Sequence, residues 1–191
     1  MRQASVHRTT KETDIQVSLC LEGGETNINT GIGFFDHMLT ALSVHGGFGL
    51  TVYAKGDLEV DCHHTIEDTG IVLGQALAQT LGSKGGIARY GSFYIPMDEA
   101  LGFCALDISG RPYLVFEATF PEERIGGYDS CMTEEFMRAL AFNAGLTLHL
   151  KATGKNSHHI TEALYKALAH ALKEAVKPLD DTKPLSTKGV L

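Results

Sequence analysis

HHTIEDTGIVLGQALAQTL at residues 63–81 has the same pattern as HHITEALYKALAHALKEAV at residues 158–176. The two segments match at a constant offset of 95 residues, and both place Leu or Val at steps of four, as on one face of an amphipathic helix. Two unrelated amphipathic helices would not be expected to share the HHxxE with which both segments begin. The segments therefore predict a duplicated half-domain.

The flanking sequence repeats as well. FFDHMLTALSVHGGFGLTV at residues 34–52 resembles EEFMRALAFNAGLTL at residues 134–148 once the loop length changes, and this alignment places Glu135 opposite His37. Periodicity predicts helices at residues 34–44, 63–81, 133–144 and 160–176, and strands at residues 15–21, 50–53, 92–95, 100–108, 113–120 and 146–150. This order predicts an α+β fold in which one domain contains two repeats, about 1–90 and 91–191. Each repeat is expected to be a small antiparallel or mixed sheet with two helices on one face.

Composition excludes several classes of protein. The 191 residues include 16 Lys+Arg and 23 Asp+Glu, a formal net charge of −7. Non-specific binding to nucleic acid or to an anionic membrane needs a positive field, so neither partner is expected. No apolar stretch approaches the about 18 residues that span a bilayer. The polar N-terminus lacks the apolar region of a secretory signal, and a cytoplasmic location is expected.

The chemically informative residues are histidines. An α-helix turns about 100° per residue, so the first His and the Glu of each HHxxE share one face and the second His points elsewhere. The chelating pairs are His63 with Glu67 and His158 with Glu162. If the repeats pack, within the chain or between subunits, each remaining histidine can complete the site of the other repeat.

The geometry therefore predicts two metal ions. One would be held by His63, Glu67 and His159, and the other by His158, Glu162 and His64. His37 would add a ligand from the preceding helix, and Glu135 is its equivalent in the second repeat. Imidazole and carboxylate ligands without a thiolate suit Mn, Fe, Co, Ni or Zn, and the sequence does not rank these metals.

Five motifs resemble those of the imidazoleglycerol-phosphate dehydratase family. In chain order they are GIGFFDHMLTALSVHGGF (31–48), DCHHTIEDTG (61–70), DISGRPY (107–113), GKNSHHITEALYKALA (154–169) and STKG (186–189). The resemblance covers nearly the whole chain. It implies a hydro-lyase of histidine biosynthesis that converts D-erythro-imidazoleglycerol phosphate to imidazole-acetol phosphate. It also implies a fold similar to a duplicated second domain of ribosomal protein S5, in a homo-oligomer of twenty-four subunits with active sites at subunit contacts.

The resemblance further implies roles for individual residues. It assigns one Mn²⁺ to His37, His64, His158 and Glu162, and a second to His63, Glu67 and His159, while Glu135 stands where some members carry a ligand histidine. It assigns Glu12 and His45 to the substrate pocket, where His37, His63 and Glu67 also contact the substrate. It assigns the phosphate to Arg89, Arg111, Lys166, Ser186 and Lys188. A few placed cations suffice to bind a phosphate dianion in an acidic protein.

A mechanism follows from that substrate. Metal ions on the ring nitrogens would stabilise an imidazolate, whose electrons expel the hydroxyl group through a diazafulvene-like intermediate before a base removes the side-chain proton. Glu12 is the first candidate for proton transfer, with Glu162 or a metal-bound water as alternatives.

Two other functions fit the same residues: a two-metal hydrolase of a small phosphate ester, and a non-catalytic metal-binding module.

Overall fold

A computed structural model describes residues 1–180 and 183–189 of the chain. These residues form ten strands and four helices. In chain order they are β1 (Gln3–Thr9), β2 (Thr13–Cys20), β3 (Thr26–Asn29), α1 (Gly33–Gly46), β4 (Gly49–Gly56), α2 (His63–Leu81), β5 (Tyr90–Met97), β6 (Ala100–Asp107), β7 (Tyr113–Glu117), β8 (Arg124–Ile125), β9 (Tyr128–Asp129), α3 (Met132–Ala144), β10 (Thr147–Thr153) and α4 (Ser157–Ala175). Among them is no helix long and apolar enough to cross a membrane.

The two four-stranded sheets have the same topology. Their strand orders are β1-β2-β4-β3 and β5-β6-β10-β7. In each sheet the last two strands are parallel and the other neighbours are antiparallel. A parallel pair needs a crossover, which α1 supplies between β3 and β4 and α3 supplies between β7 and β10. The predicted α+β fold and duplicated layout are confirmed.

The ends of α1 and α3 show how closely the repeats correspond. Each helix stops at a glycine with a φ of 70°, Gly47 and Gly145, in the left-handed region that favours glycine. The N–H of Phe48 donates to Ser43 and that of Leu146 donates to Ala141, so the same bond closes both helices. Counting back from these caps places Glu135 at the position of His37, as the sequence alignment predicted.

The helices of the two repeats pack against each other. α1 contacts α4, and α2 contacts α3. α2 covers β1, β2 and β4, whereas α4 covers β5, β6 and β10. Buried residues of both sheets and all four helices form one hydrophobic cluster, in which Ile15, Phe35, Leu148 and Leu164 are fully buried. This packing brings α1 of the first repeat beside the start of α4 in the second.

Several elements differ from the sequence-based expectation. β1 and β3 were not predicted, because their residues alternate between exposed and half-buried positions and lack a fully apolar face. β7 ends at Glu117, before the predicted residue 120, and the short β8–β9 hairpin follows it. α4 begins at Ser157, three residues earlier than predicted, because the Asn156 side chain accepts the N–H of His159 and caps the helix.

One methyl group added at Gly91, where β5 contacts α4, is expected to destabilise the protein. A Cβ added at Gly91 would lie 1.9 Å from the carbonyl oxygen of Ala171, so the strand and the helix would have to separate. Gly91→Ala is therefore expected to lower the free energy of unfolding by about 1–3 kcal/mol, measured by urea denaturation. In the matched control Gly127→Ala, the added Cβ has no neighbour within 4 Å. Equal unfolding midpoints for the two variants would contradict the prediction.

Candidate metal and substrate site

The start of α4 and the first half of α1 together carry a group of three candidate ligands. His158 and Glu162 lie one turn apart on α4, with Nε2 of His158 3.2 Å from Oε2 of Glu162. Nε2 of His37, on α1, is 3.5 Å from the same oxygen. Their ligand atoms all lie within 4.8 Å of one another, the one such group of three in residues 1–180 and 183–189. Two imidazoles and a carboxylate suit a divalent transition metal.

Glu162 is the buried member of this group, with 6% of its surface exposed. Burial alone would raise the pKa of its carboxyl group, but the ammonium of Lys166 and the two histidines hold that pKa below its ordinary value. Nζ of Lys166 is 2.6 Å from Oε1 of Glu162. The carboxylate is therefore ionised and available as a ligand at neutral pH.

The equivalent His–Glu pair on α2, which packs against α3, is more exposed to solvent. Nε2 of His63 is 3.4 Å from Oε2 of Glu67 on α2, and both side chains are nearly half exposed. Glu135 is on α3, which packs against α2. Its Oε1 is 3.5 Å from a guanidinium nitrogen of Arg138. The chelating pair is present here, but no third ligand is within the same reach in the described part of the chain.

The second histidine of the first motif, His64, lies near two carboxylates of its own repeat. Nδ1 of His64 lies 3.0 Å from Oδ2 of Asp57. This hydrogen bond raises the pKa of His64 above its ordinary value. Nε2 of the same ring is 3.9 Å from the carboxylate of Glu12, which is 56% exposed. His64 therefore does not join the group on α4 within one chain.

The second histidine of the second motif is held in a similar way. Nδ1 of His159 lies 2.7 Å from Oε2 of Glu99. The hydrogen bond from His159, together with one from the backbone N–H of Lys155, lowers the pKa of Glu99 to about 2. Oδ2 of Asp98 is 3.6 Å from Nε2 of His159 and the Asp98 side chain is 75% exposed. Nδ1 of His159 is thus hydrogen-bonded, and its Nε2 lies beside an exposed carboxylate.

His45 lies near the lysine of the α4 group. Its Nδ1 is 3.4 Å from Nε2 of His170. Burial, and then the positive charge of Lys166, lower the pKa of His45. The His170 ring stacks on Phe93 with a centroid distance of 4.5 Å. His45 is therefore a neutral imidazole near neutral pH, fixed between α1 and α4.

The predicted phosphate residues divide into two places. Arg89, Arg111, Ser186 and Lys188 line one groove of about 850 Å³. Arg89 is 8% exposed, and its guanidinium binds Asp107 at 2.7 and 3.0 Å. Arg111 is exposed, and a nitrogen of its guanidinium is 4.0 Å from a carboxylate oxygen of Asp107. Lys166 is not among the groove residues and pairs with Glu162 instead.

Sequence reasoning missed the carboxylates that hold the predicted histidines and arginine. These are Asp57 on His64, Glu99 on His159 and Asp107 on Arg89. Asp107 lies within the DISGRPY motif, Asp57 directly follows β4, and Glu99 is in the β5–β6 turn. Turn position alone does not separate them from the many exposed acidic residues of this chain.

Comparison with known proteins finds relatives that match most of the chain. The sequence profile of the imidazoleglycerol-phosphate dehydratase family matches residues 30–172. An imidazoleglycerol-phosphate dehydratase of Acetivibrio thermocellus is 56% identical, with 100% of this chain and 99% of that protein covered. One from Clostridium kluyveri is 52% identical over the full length of both chains.

Solved structures give the same result for the fold. The crystal structure of imidazoleglycerol-phosphate dehydratase from Staphylococcus aureus has a TM-score of 0.85 and 42% identity, covering 92% of this chain and 99% of that one. The enzyme from Pyrococcus furiosus, in complex with (S)-C348, has a TM-score of 0.85 and 38% identity, covering 97% and 100%. With the profile and the full-length relatives, these matches show that the chain belongs to the imidazoleglycerol-phosphate dehydratase family.

Proposed function

We propose that this protein is a hydro-lyase that dehydrates D-erythro-imidazoleglycerol phosphate to imidazole-acetol phosphate in histidine biosynthesis. The observation that carries the proposal is the group of His37, His158 and Glu162, assembled from both repeats in a member of this family. In the reaction the C–O bond beside the ring breaks, and so does the C–H bond on the next carbon. The enol that results becomes a ketone, and the phosphate is retained.

The donor atoms fit a metal cofactor, and we infer two Mn²⁺ ions per active site. The three-ligand group on α1 and α4 would hold one ion, and its equivalent on α2 and α3 would hold the other. The proposed ligands are His37, His158, Glu162 and His64 for the first ion and His63, Glu67, Glu135 and His159 for the second. Such ions would withdraw charge from the imidazole ring of the substrate and lower its pKa.

Glu12 is the proposed proton-transfer residue. Its carboxylate is beyond hydrogen-bonding distance of His64, at 3.9 Å, and more than half of it is exposed. Both oxygens of the rival, Glu162, already face partners, with Lys166 on one side and His158 on the other. A base must be able to approach the carbon-bound proton, which favours the less engaged carboxylate.

We further propose that the active site is built from more than one subunit. The groove of Arg89 lies at the far end of α4, where the backbone N–H of Arg89 donates to Ala175. Ala175 is thirteen residues beyond Glu162, about 20 Å along the helix axis. The substrate joins its ring to its phosphorus through only five bonds of about 1.5 Å each. One molecule therefore cannot occupy the metal ligands and the groove of the same chain.

The proposed binding residues divide accordingly between subunits. His37, His63 and Glu67 would contact the ring region, His45 and Lys166 would extend that pocket, and Arg89, Arg111, Ser186 and Lys188 of another subunit would hold the phosphate. A homo-oligomer follows, and the twenty-four-subunit assembly implied by the family resemblance is the form we propose.

The shared core supports the further proposal that the two repeats act as one domain. The free thiols, of which Cys62 and Cys104 are buried, support a reducing compartment such as the cytoplasm.

The assay that tests the function uses metal-stripped protein and imidazoleglycerol phosphate. No turnover is expected without metal, and addition of Mn²⁺ is expected to restore formation of the ketone with its phosphate retained. Release of inorganic phosphate would instead support the two-metal hydrolase. Metal binding with neither product would support the non-catalytic module and overturn the proposed function.

A further inference from the structure

The β1–β2 and β5–β6 turns occupy equivalent places in the two repeats. β2 begins at Thr13 and β6 begins at Ala100, and both strands have eight residues. Glu12 and Glu99 each stand immediately before that strand. Each carboxylate also lies near the second histidine of its own HHxxE, with Glu12 3.9 Å from Nε2 of His64 and Glu99 2.7 Å from Nδ1 of His159. The duplication has therefore placed a glutamate beside the same histidine twice.

The contacts of the two glutamates differ because their turns differ in length. Met97 pairs with Ala100, so Asp98 and Glu99 form a two-residue turn, with Asp98 in the left-handed region at a φ of 50°. In the first repeat Thr9 pairs with Asp14, which leaves four residues, 10–13, between the paired positions. The tighter turn brings its glutamate onto the histidine ring and the longer one does not.

Both oxygens of Glu99 are engaged. Oε2 accepts from Nδ1 of His159, and Oε1 accepts from the backbone N–H of Lys155 at 2.9 Å. Lys155 immediately precedes Asn156, the N-cap of α4, so this carboxylate ties the turn to the start of the helix. A carboxylate accepts but does not donate, hence the shared proton is on Nδ1 and the lone pair of the neutral ring is on Nε2. That nitrogen is the one available to a metal.

The first repeat reaches the same ring state with another residue. Nδ1 of His64 is bound by Asp57, directly after β4, and its Nε2 is 3.9 Å from the carboxylate of Glu12. Asp57, and not Glu12, therefore orients the ring of His64, whereas Glu99 binds the ring of His159 in the second repeat. This division explains why only one of the two equivalent glutamates is available for proton transfer.

We propose that Glu99 is a positioning residue that orients His159 and presents its Nε2 to the metal ion bound by His63 and Glu67 of another subunit. The proposal rests on the two-metal site proposed above. Carboxylates that bind the second nitrogen of a ligand histidine fix its tautomer and orientation, and their loss typically weakens metal binding about 10–100-fold. Glu99 would act through His159 without touching the substrate.

The test is a titration of metal-stripped protein with Mn²⁺, followed by electron paramagnetic resonance of the free ion. The unmodified protein is expected to bind two ions per chain with high affinity. Glu99→Ala is expected to keep one of them and to bind the other about 10–100-fold more weakly. Glu99→Gln, whose amide oxygen still accepts the Nδ1 proton, is expected to fall between the two.

The control is Glu117→Ala, which removes the same charge from an exposed glutamate paired with Lys151 on the second sheet. It is expected to bind both ions as the unmodified protein does. Unchanged affinities in Glu99→Ala, or an equal loss at both sites, would overturn the role of Glu99. If Glu99→Ala does not fold, the Gln variant decides, and unchanged binding there also overturns the role. Failure of the unmodified protein to bind metal would count against the proposed function instead.

Discussion

Replacement of Glu12 by Gln is expected to abolish dehydration while metal binding stays nearly unchanged. The substitution keeps the size of the side chain but removes its ability to take up a proton. General acid–base groups typically contribute about 10²–10⁴-fold to the rate, so kcat is expected to fall by that range. The 3.9 Å separation from His64 means that no hydrogen bond to a ligand histidine is lost. The measurement compares ketone formation at saturating substrate with Mn²⁺ bound per chain.

The size-matched control is Glu25→Gln, because Glu25 is an exposed glutamate just before β3, on the same repeat. It is expected to leave kcat unchanged. Retained turnover in Glu12→Gln would remove Glu12 from proton transfer and transfer the role to Glu162 or to a metal-bound water. Loss of both turnover and metal would instead make Glu12 a residue that supports the metal site.

Restoration of activity by mixing two inactive variants is the second large effect expected. Arg111→Ala damages the phosphate groove and leaves the ligand group intact, whereas His158→Ala does the reverse. Each variant alone is expected to be nearly inactive. If each site combines ligands of one subunit with the groove of another, mixed assemblies contain sites with both parts intact. Random mixing of equal amounts predicts roughly a quarter of the unmodified activity in a two-subunit site.

The experiment uses co-expressed chains with different tags, so that co-purification demonstrates mixed assemblies. Arg111 is 69% exposed, and its loss is not expected to disturb folding. The control pair is Arg111→Ala with Arg89→Ala, in which both changes damage the groove and no combination restores it. Mixed assemblies of the first pair that remain as inactive as the separate variants would show that the ligands and the groove of one chain act together.

Much of the fold and of the candidate site could be predicted because helical spacing and repeated motifs depend on residues that are close together in sequence. The histidine and glutamate of each HHxxE share a helical face through backbone geometry alone, and α2 spans the predicted residues 63–81. The duplicated pattern also predicted the α+β layout and the equivalence of His37 and Glu135. β1 and β3 escaped prediction because strand pairing, and not an apolar face, holds them in the first sheet.

The carboxylates around the histidines were not predictable for a different reason. Asp57 and His64 are seven residues apart, but Glu99 and His159 are separated by sixty. Their hydrogen bonds depend on where the loop beside a strand packs against the start of a helix. The short-range periodicity of the sequence does not predict that packing. The same holds for His45 and His170, which are 125 residues apart in sequence.

The sequence by itself determined that the first His and the Glu of each HHxxE share a helix face, and it also determined the duplication and the family to which the chain belongs, because helical spacing and repeated motifs are properties of neighbouring residues. Only the tertiary structure decided that α1 packs against α4 and α2 against α3, so that the group of His37, His158 and Glu162 draws on both repeats. It also decided that His158 and Glu162 lie at the start of α4, whereas the groove of Arg89 lies at its end. Both results follow from burial of helix faces in one shared core, which is a long-range effect that residue spacing does not encode.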